Sequence, residues 1–150
     1  MKAISLWQPW ASLIATNWKH YETRSWQTSY RGLLAIHAGR HTDDMEYWYR
    51  QPQFRFHLDA SGIKSFVDLP LGAIVGVVEV VDMIRTEHIR HRLDSTELAF
   101  GNYETGRWAW KLIWKARLIR PVPMKGAQGL FDCPFTWTEP PVDELYESEF

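Results

Sequence analysis

Asn17-Trp18-Lys19-His20-Tyr21-Glu22-Thr23-Arg24-Ser25-Trp26 is where this chain changes from a helical to an extended period. Before it, Trp10, Leu13, Ile14 and Trp18 recur at helical spacing, which predicts a short amphipathic helix from Pro9 to Trp18. Pro9 suits the first helical position, where its missing N–H costs nothing. Lys19 falls at or just past the end of that helix, and from Tyr21 onward the residues alternate. In an extended segment Glu22, Arg24 and Trp26 project to one face. An amine, a carboxylate, a guanidinium and an indole then converge, and the rest of the chain reads as a frame around them.

Working outward, residues 2–7 read as a first strand, turned into the helix by Gln8-Pro9. Tyr30-Arg31-Gly32 reads as a turn and Leu33 to Ala38 as a strand. Thr42-Asp43-Asp44 offers cap residues for a helix to about Arg50. Pro52 interrupts it, and a second short helix runs from Gln53 to Ala60. Ala73 to Met83 is valine-rich, as a strand covered on both faces is. Alternation puts Ile74, Gly76, Val78, Val80 and Asp82 on one face and Val75, Val77, Glu79, Val81 and Met83 on the other. Glu79 is thus a carboxylate among aliphatic neighbours, and if buried it needs a partner. Thr86 to Arg92 reads as a short helix. Trp108, Trp110, Leu112, Trp114, Ala116 and Leu118 alternate along a long strand, with Arg107, Lys111, Lys115 and Arg117 mostly opposite. Pro121 and Pro123 end it, and Leu130-Phe131 reads as a last strand.

The 150 residues fit one domain, and they suffice to bury about two-thirds of the unfolded surface. One cysteine, Cys133, excludes an intramolecular disulfide framework and a multi-cysteine zinc site. Cysteine usage and the lack of a signal-peptide pattern in Met1 to Ser5 lead us to expect a cytoplasmic protein. No apolar run reaches the roughly 18 residues of a membrane span, so no membrane partner is expected. Net charge is −1, but its distribution is uneven. Residues 139–150 hold five acids and no base, so 17 bases face 13 acids in residues 1–138 and that body carries +4. The division expected is a domain over 1–138 and an acidic tail over 139–150. A mildly basic body permits a polyanion partner. Nine tryptophans exceed what a core of this size needs, and indoles also stack on bases.

Several of these pieces together resemble a known family, the ASCH domain, related to the PUA, YTH and EVE domains. The matching residues are Ser5-Leu6-Trp7-Gln8-Pro9-Trp10-Ala11, Lys19-x-x-Glu22-x-Arg24-x-Trp26, Tyr30-Arg31-Gly32 and Ile36-His37-Ala38. Later come Leu71-Gly72-Ala73-Ile74-Val75-Gly76, Gly106-Arg107-Trp108-Ala109-Trp110 and Gly126-x-Gln128-Gly129-Leu130. The resemblance implies an α+β fold, a single-domain PUA-like β-barrel with helices closing its ends and a cleft beside the first helix. It also implies association with RNA. Relatives include readers of modified bases, proteins with ribonuclease activity, and amidohydrolases acting on N4-acetylated cytidine. In those amidohydrolases a lysine and a threonine three residues later are catalytic. Here Glu22 stands at the threonine's place and Thr23 is one position off.

Each residue carries a plain reading beside the functional one. Lys19 is either a lysine placed favourably at a helix C-terminus or a partly buried proton carrier with a lowered pKa. Glu22 and Arg24 are either a structural pair or ligand contacts, and the two roles are compatible. Trp10 and Trp26 lie nearest the charges and are the tryptophans expected to face ligand. His37 reads first as a satisfied strand histidine. Gln128, among glycines, reads either as part of an anion-binding loop or as an ordinary turn. His37-x-x-x-His41 and His88-Ile89-Arg90-His91 lack an evident third ligand, so neither a metal nor any other cofactor is expected.

The function expected is recognition of RNA or a modified nucleoside, with hydrolysis by Lys19 and Glu22. In RNA cleavage Glu22 would take the 2′-OH proton while Lys19 and Arg24 stabilise the phosphorane charge. Gln8, Trp10, Arg24, Trp26, Arg31, His37 and Gln128 are the expected ligand contacts, with Glu79 as a supporting carboxylate. The alternatives are a reader of modified bases that performs no chemistry and a protein-interaction domain. A monomer is the default oligomeric state.

Overall fold

The computed structural model describes residues 1–140. Six strands form one mixed sheet: β1 (Lys2–Leu6), β2 (Tyr21–Arg24), β3 (Gly32–Ala38), β4 (Ala73–Arg85), β5 (Trp108–Pro123) and β6 (Leu130–Asp132). Their order across the sheet is β2-β5-β4-β3-β1-β6. β1 and β3 are parallel, and every other pair is antiparallel. The sheet curls into a half-barrel, the α+β PUA-like architecture that the resemblance implies.

Helix α1 (Trp10–Ala15) lies in the concavity against β3, β4 and β5. Its Ala11, Ile14 and Ala15 pack with Ile4, Leu6, Leu34, Ile36, Val75, Val78, Val80, Trp110 and Leu112. Gly76 permits that approach, because a Cβ there would fall 2.9 Å from both Ala15 Cβ and the Ala116 carbonyl. A second cluster joins Leu13 of α1 to α2 (Met45–Tyr49) and α3 (Pro52–Ala60) through Met45, Tyr49, Phe54, Leu58 and Phe100. Two further short helices, α4 (Thr86–Ile89) and α5 (Ser95–Ala99), sit between β4 and β5.

α1 is shorter than the expected Pro9–Trp18, and the reason is local. Asn17 adopts the left-handed conformation at φ 67°. The Asn17 N–H then bonds the Ile14 carbonyl at 3.1 Å and the Trp18 N–H the Leu13 carbonyl at 2.9 Å. This is the Schellman arrangement that ends a helix and reverses the chain. Trp18 therefore leaves the apolar face of α1, and its indole donates to Ser61 Oγ at 2.7 Å. α2 starts at Met45, directly after the Thr42-Asp43-Asp44 signal, and Asp44 precedes it at φ 60° without making a side-chain cap.

The simple alternation read along β4 and β5 does not persist either. Bulges between Ile74 and Gly76, Val77 and Val78, and Val80 and Asp82 shift the register. Over the first of these β5 advances three residues more than β4, over the second one more, and over the third β4 advances one more than β5. Against β3, β4 carries one extra residue between Ile74 and Gly76, and an odd insertion exchanges the faces of its strand. So Val75 shares the concave core with Val78 and Val80, while Ile74 joins Leu118 and Val122 in a third cluster. Of the acidic tail, residues 141–150 lie outside the described residues. Glu139 is described, and its carboxylate meets Lys115 Nζ at 3.2 Å.

Candidate functional site

The reversal after α1 drops Lys19 into the interior, where only 1% of its side chain is exposed. Its Nζ donates to the Tyr21 carbonyl and stands 3.9 Å from Glu22 Oε1. The other Glu22 oxygen meets Arg24 Nη2 at 3.3 Å, and the same Nη2 donates to the Ser5 carbonyl at 3.2 Å. Lys19, just before β2, and Glu22 and Arg24 on it thus form a lysine–glutamate–arginine chain that begins in the core and ends at solvent. Burial holds the Lys19 pKa below its ordinary value. Glu22 and then Glu97 pull it back up, Arg24 adds to the lowering, and burial prevails.

Glu22 and Arg24 open onto a cleft of about 640 Å³. Trp7, Trp10, Trp48 and Phe100 form its apolar wall, and Ser5, Thr23, Asn102 and Arg107 add polar groups. The volume falls within the roughly 300–1,000 Å³ of small-molecule pockets, and the mixture of aromatic walls and few polar groups is typical of them. The wall is held from behind: Trp10 packs edge-on to Phe54 at 5.9 Å and tilted against Trp48 at 5.5 Å. Trp7, at the rim, is 57% exposed and stacks on His41 at 3.7 Å. Lys19 lies directly behind the lining at Gly101, where a Cβ would come 3.4 Å from Nζ and 3.3 Å from Thr23 Oγ1.

Of the residues expected to meet ligand, the fold brings Trp10, Glu22 and Arg24 together in this cleft, with Lys19 beneath. The others are placed elsewhere. Gln8 is buried, donating to Ser12 Oγ and the Pro70 carbonyl and accepting from the Ser12 N–H, which fastens the start of α1. Trp26 supports the site from outside the lining. Its ring packs edge-on to Trp110 at 4.9 Å, with the Arg24 guanidinium 5.9 Å from its centroid. Arg31 is exposed and donates to the carbonyls of Thr28 and Tyr30. His37 is buried between Ser5 Oγ at 2.8 Å and the Met124 carbonyl at 2.6 Å, so both ring nitrogens are occupied. Gln128 is exposed on the loop before β6. Glu79 is half-buried on the face opposite Val78 and Val80, so the partner that full burial demands is not required. Among the described residues no group of three metal-ligating side chains is assembled.

Glu97 was not legible as a site residue. It is 5% exposed, and its Oε1 accepts from the His20 N–H at 2.8 Å and meets His20 Nδ1 at 3.1 Å. That bond raises the His20 pKa, with burial opposing. The signal was present: Asp94-x-x-Glu97 is a helix-start pattern, and Asp94 Oδ1 does accept from the Glu97 N–H at 2.8 Å. Alternation assigns Arg107 to the long strand. It lines the cleft, with Nη2 donating to the Thr23 carbonyl at 3.2 Å.

Known proteins resemble this chain in sequence and in fold. Mouse Activating signal cointegrator 1 is 32% identical over 90 residues, covering 59% of this chain and 15% of that protein. The human protein of the same name is 31% identical over 90 residues, with the same shares. The match thus spans about 15% of the length of these relatives. The crystal structure of ASCH from Zymomonas mobilis superposes with a TM-score of 0.52 at 16% identity, covering 99% of this chain and 92% of that one. A mutant ASCH protein from the same organism gives 0.51 at 15%, covering 99% and 95%. The family model of the ASCH domain matches residues 4–122, a span that takes in α1, the Lys19–Glu22–Arg24 chain and Arg107, and the chain therefore belongs to the ASCH domain family.

Proposed function

We propose that the cleft binds a nucleoside presented by single-stranded RNA, base against the tryptophan wall. The observation that carries this reading is the pairing of that wall with the Glu22–Arg24 pair in one cavity of about 640 Å³. Indoles take up the face of any base, whereas a carboxylate and a guanidinium discriminate by base edge. Glu22 accepts from an exocyclic amine and Arg24 donates to a carbonyl, so a base presenting both is preferred. The association of ASCH domains with RNA points the same way. Binding of short single-stranded RNAs, followed by tryptophan fluorescence, tests it. Trp7→Ala removes a rim indole that the core does not need and is expected to weaken binding about tenfold to hundredfold. Equal affinity in the two proteins, or no RNA binding, overturns the reading.

A second reading, hydrolysis of an acylated exocyclic amine, is favoured by one observation: the lowered pKa of Lys19. In its neutral form the Lys19 amine takes a proton from water as the oxygen adds to the acyl carbon. It returns that proton to the departing nitrogen as the C–N bond breaks, giving a free amine and a carboxylic acid. Turnover of N4-acetylcytidine should then rise with pH through the Lys19 pKa and be abolished in Lys19→Met. Wild-type protein that binds this nucleoside and leaves it intact refutes hydrolysis of it.

A further inference from the structure

The two arginines of the cleft are not equivalent. Arg24 is neutralised by Glu22 at 3.3 Å, and its Nη2 is shared with the Ser5 carbonyl. Arg107 has no ion pair among the described residues. One Nη2 bond to the Thr23 carbonyl orients its guanidinium, and its Nε finds no acceptor. Glu22 is the one carboxylate in the lining, so the cleft carries a net positive charge before Lys19 behind it is counted. Beside Arg107 lies Asn102. Its backbone N–H is taken by Thr23 Oγ1 at 3.0 Å, and its Oδ1 by the Glu104 N–H at 3.1 Å. That last bond fixes the amide orientation and leaves Nδ2 as a donor.

An uncompensated guanidinium and an amide donor in the same cleft as an aromatic wall match a ligand with a flat apolar part and an anionic part. A guanidinium fork suits phosphate oxygens in particular. We infer that Arg107 and Asn102 form a phosphate subsite, so that the cleft takes a nucleotide in preference to a free nucleoside. This rests on the reading of the cleft as a nucleoside site and adds the substrate class. A terminal monoester and the diester of an RNA chain present the same chemistry to this subsite.

The test measures four probes on the wild-type protein by tryptophan fluorescence: cytidine, its 3′-monophosphate, its 5′-monophosphate and the dinucleotide CpC. N4-acetylcytidine and its 5′-monophosphate extend the series. A charge-assisted contact to phosphate is expected to make the best phosphorylated probe bind roughly tenfold to hundredfold tighter than its nucleoside. Preference for a monophosphate over CpC assigns a terminal phosphate, and the reverse assigns the diester. Arg107→Gln should bring the ratio close to one. Because Arg107 also holds the Thr23 carbonyl, a second variant guards against misfolding. Asn102→Asp keeps the acceptor for the Glu104 N–H, sits on an exposed residue, and places a negative charge in the subsite. It should lower the ratio at least tenfold. Equal binding of nucleoside and nucleotide by the wild-type protein overturns the subsite while leaving the nucleoside reading standing. A ratio that survives Asn102→Asp also overturns it. Failure of every probe to bind overturns both.

Discussion

Replacing Lys19 with methionine separates what this residue does for the fold from what it does for the cleft. Removing an ammonium from water costs several kcal/mol, and here only 1% of the side chain is exposed. Two interactions offset that cost: a charge-assisted bond to the Tyr21 carbonyl, about 1.5–3 kcal/mol, and attraction to Glu22 at 3.9 Å, about 4 kcal/mol at an effective dielectric near 20. Arg24 works against both. The lowered pKa states the outcome: the surroundings favour the neutral amine. Methionine fills similar volume without charge, and Glu22 is not stranded, because Arg24 remains 3.3 Å away. The expected change at pH 6 lies between zero and about 2 kcal/mol of added stability, after the unpaired Tyr21 carbonyl is counted. The sign of the pH dependence follows. The folded pKa lies below the 10.5 of an unfolded lysine. Between the two, the unfolded chain holds a proton that the folded chain lacks, so wild-type stability rises with pH by at most about 1.4 kcal/mol per pH unit. Urea unfolding of both proteins from pH 6 to 10.5 measures the difference, in which other titrating groups cancel. The advantage of Lys19→Met should shrink as pH rises through that window. A variant more than about 1 kcal/mol less stable than wild type at pH 6, with a difference flat in pH, would refute the argument.

Gly76→Ala is expected to lose about 1–3 kcal/mol by urea denaturation, because its Cβ meets backbone and a helix alanine at 2.9 Å; a loss under about 0.5 kcal/mol would show that α1 shifts freely. His20, held by Glu97, has a raised folded pKa, so its contribution to stability is present below pH 6.5 and is lost as pH rises through the folded value. His20→Gln should remove that decline, and an NMR titration of the His20 ring at or below 6.5 would contradict it. RNA affinity should fall steeply with salt, since Arg107, Lys111 and Arg117 are available to phosphate, and a flat response between low and physiological salt would favour a protein partner. Truncation after Thr138 should tighten RNA binding at low salt by freeing Lys115 from Glu139, and weaker binding would show that the removed residues contribute to the interface.

The sequence was legible where period and chemistry coincide. The Glu22-x-Arg24 spacing placed two charges correctly because a four-residue strand has no room for a bulge, and Lys19 joins them from just before that strand. β5, at sixteen residues, has room for several, and its alternation misled for that reason. Trp26 lies two residues beyond the end of β2, so extrapolating the strand to it put it in the lining rather than behind Arg24. Glu97 and Arg107 join the site only because the segment between β4 and β5 folds back over β2. The His20 N–H to Glu97 and the Arg107 guanidinium to the Thr23 carbonyl tie residues 77 and 84 positions apart. No local pattern encodes contacts at such separations.

The distribution of unmet polar groups gives the site its physical character. Among the described residues, four buried side-chain atoms lack a hydrogen-bond partner: Gln53 Oε1, Glu97 Oε2, Tyr103 OH and Arg107 Nε. Three of the four belong to the segment that closes over β2. Burial raises the pKa of the Tyr103 phenol and lowers that of Lys19, Glu97 pushes both upward, and a Cβ at Gly101 would touch the Tyr103 ring at 2.8 Å while approaching Lys19 Nζ. Orphaned polar atoms scattered through a core would signal loose packing. Here three of the four fall in one segment, and of those residues Arg107 lines the cleft while Glu97 and Tyr103 lie outside its lining. A chain shaped for stability alone would place apolar residues at positions 19, 97 and 107. Keeping a lysine, a glutamate and an arginine there instead costs stability in the fold, and of the three only the arginine carries its charge into the cleft lining, with Nε unpartnered.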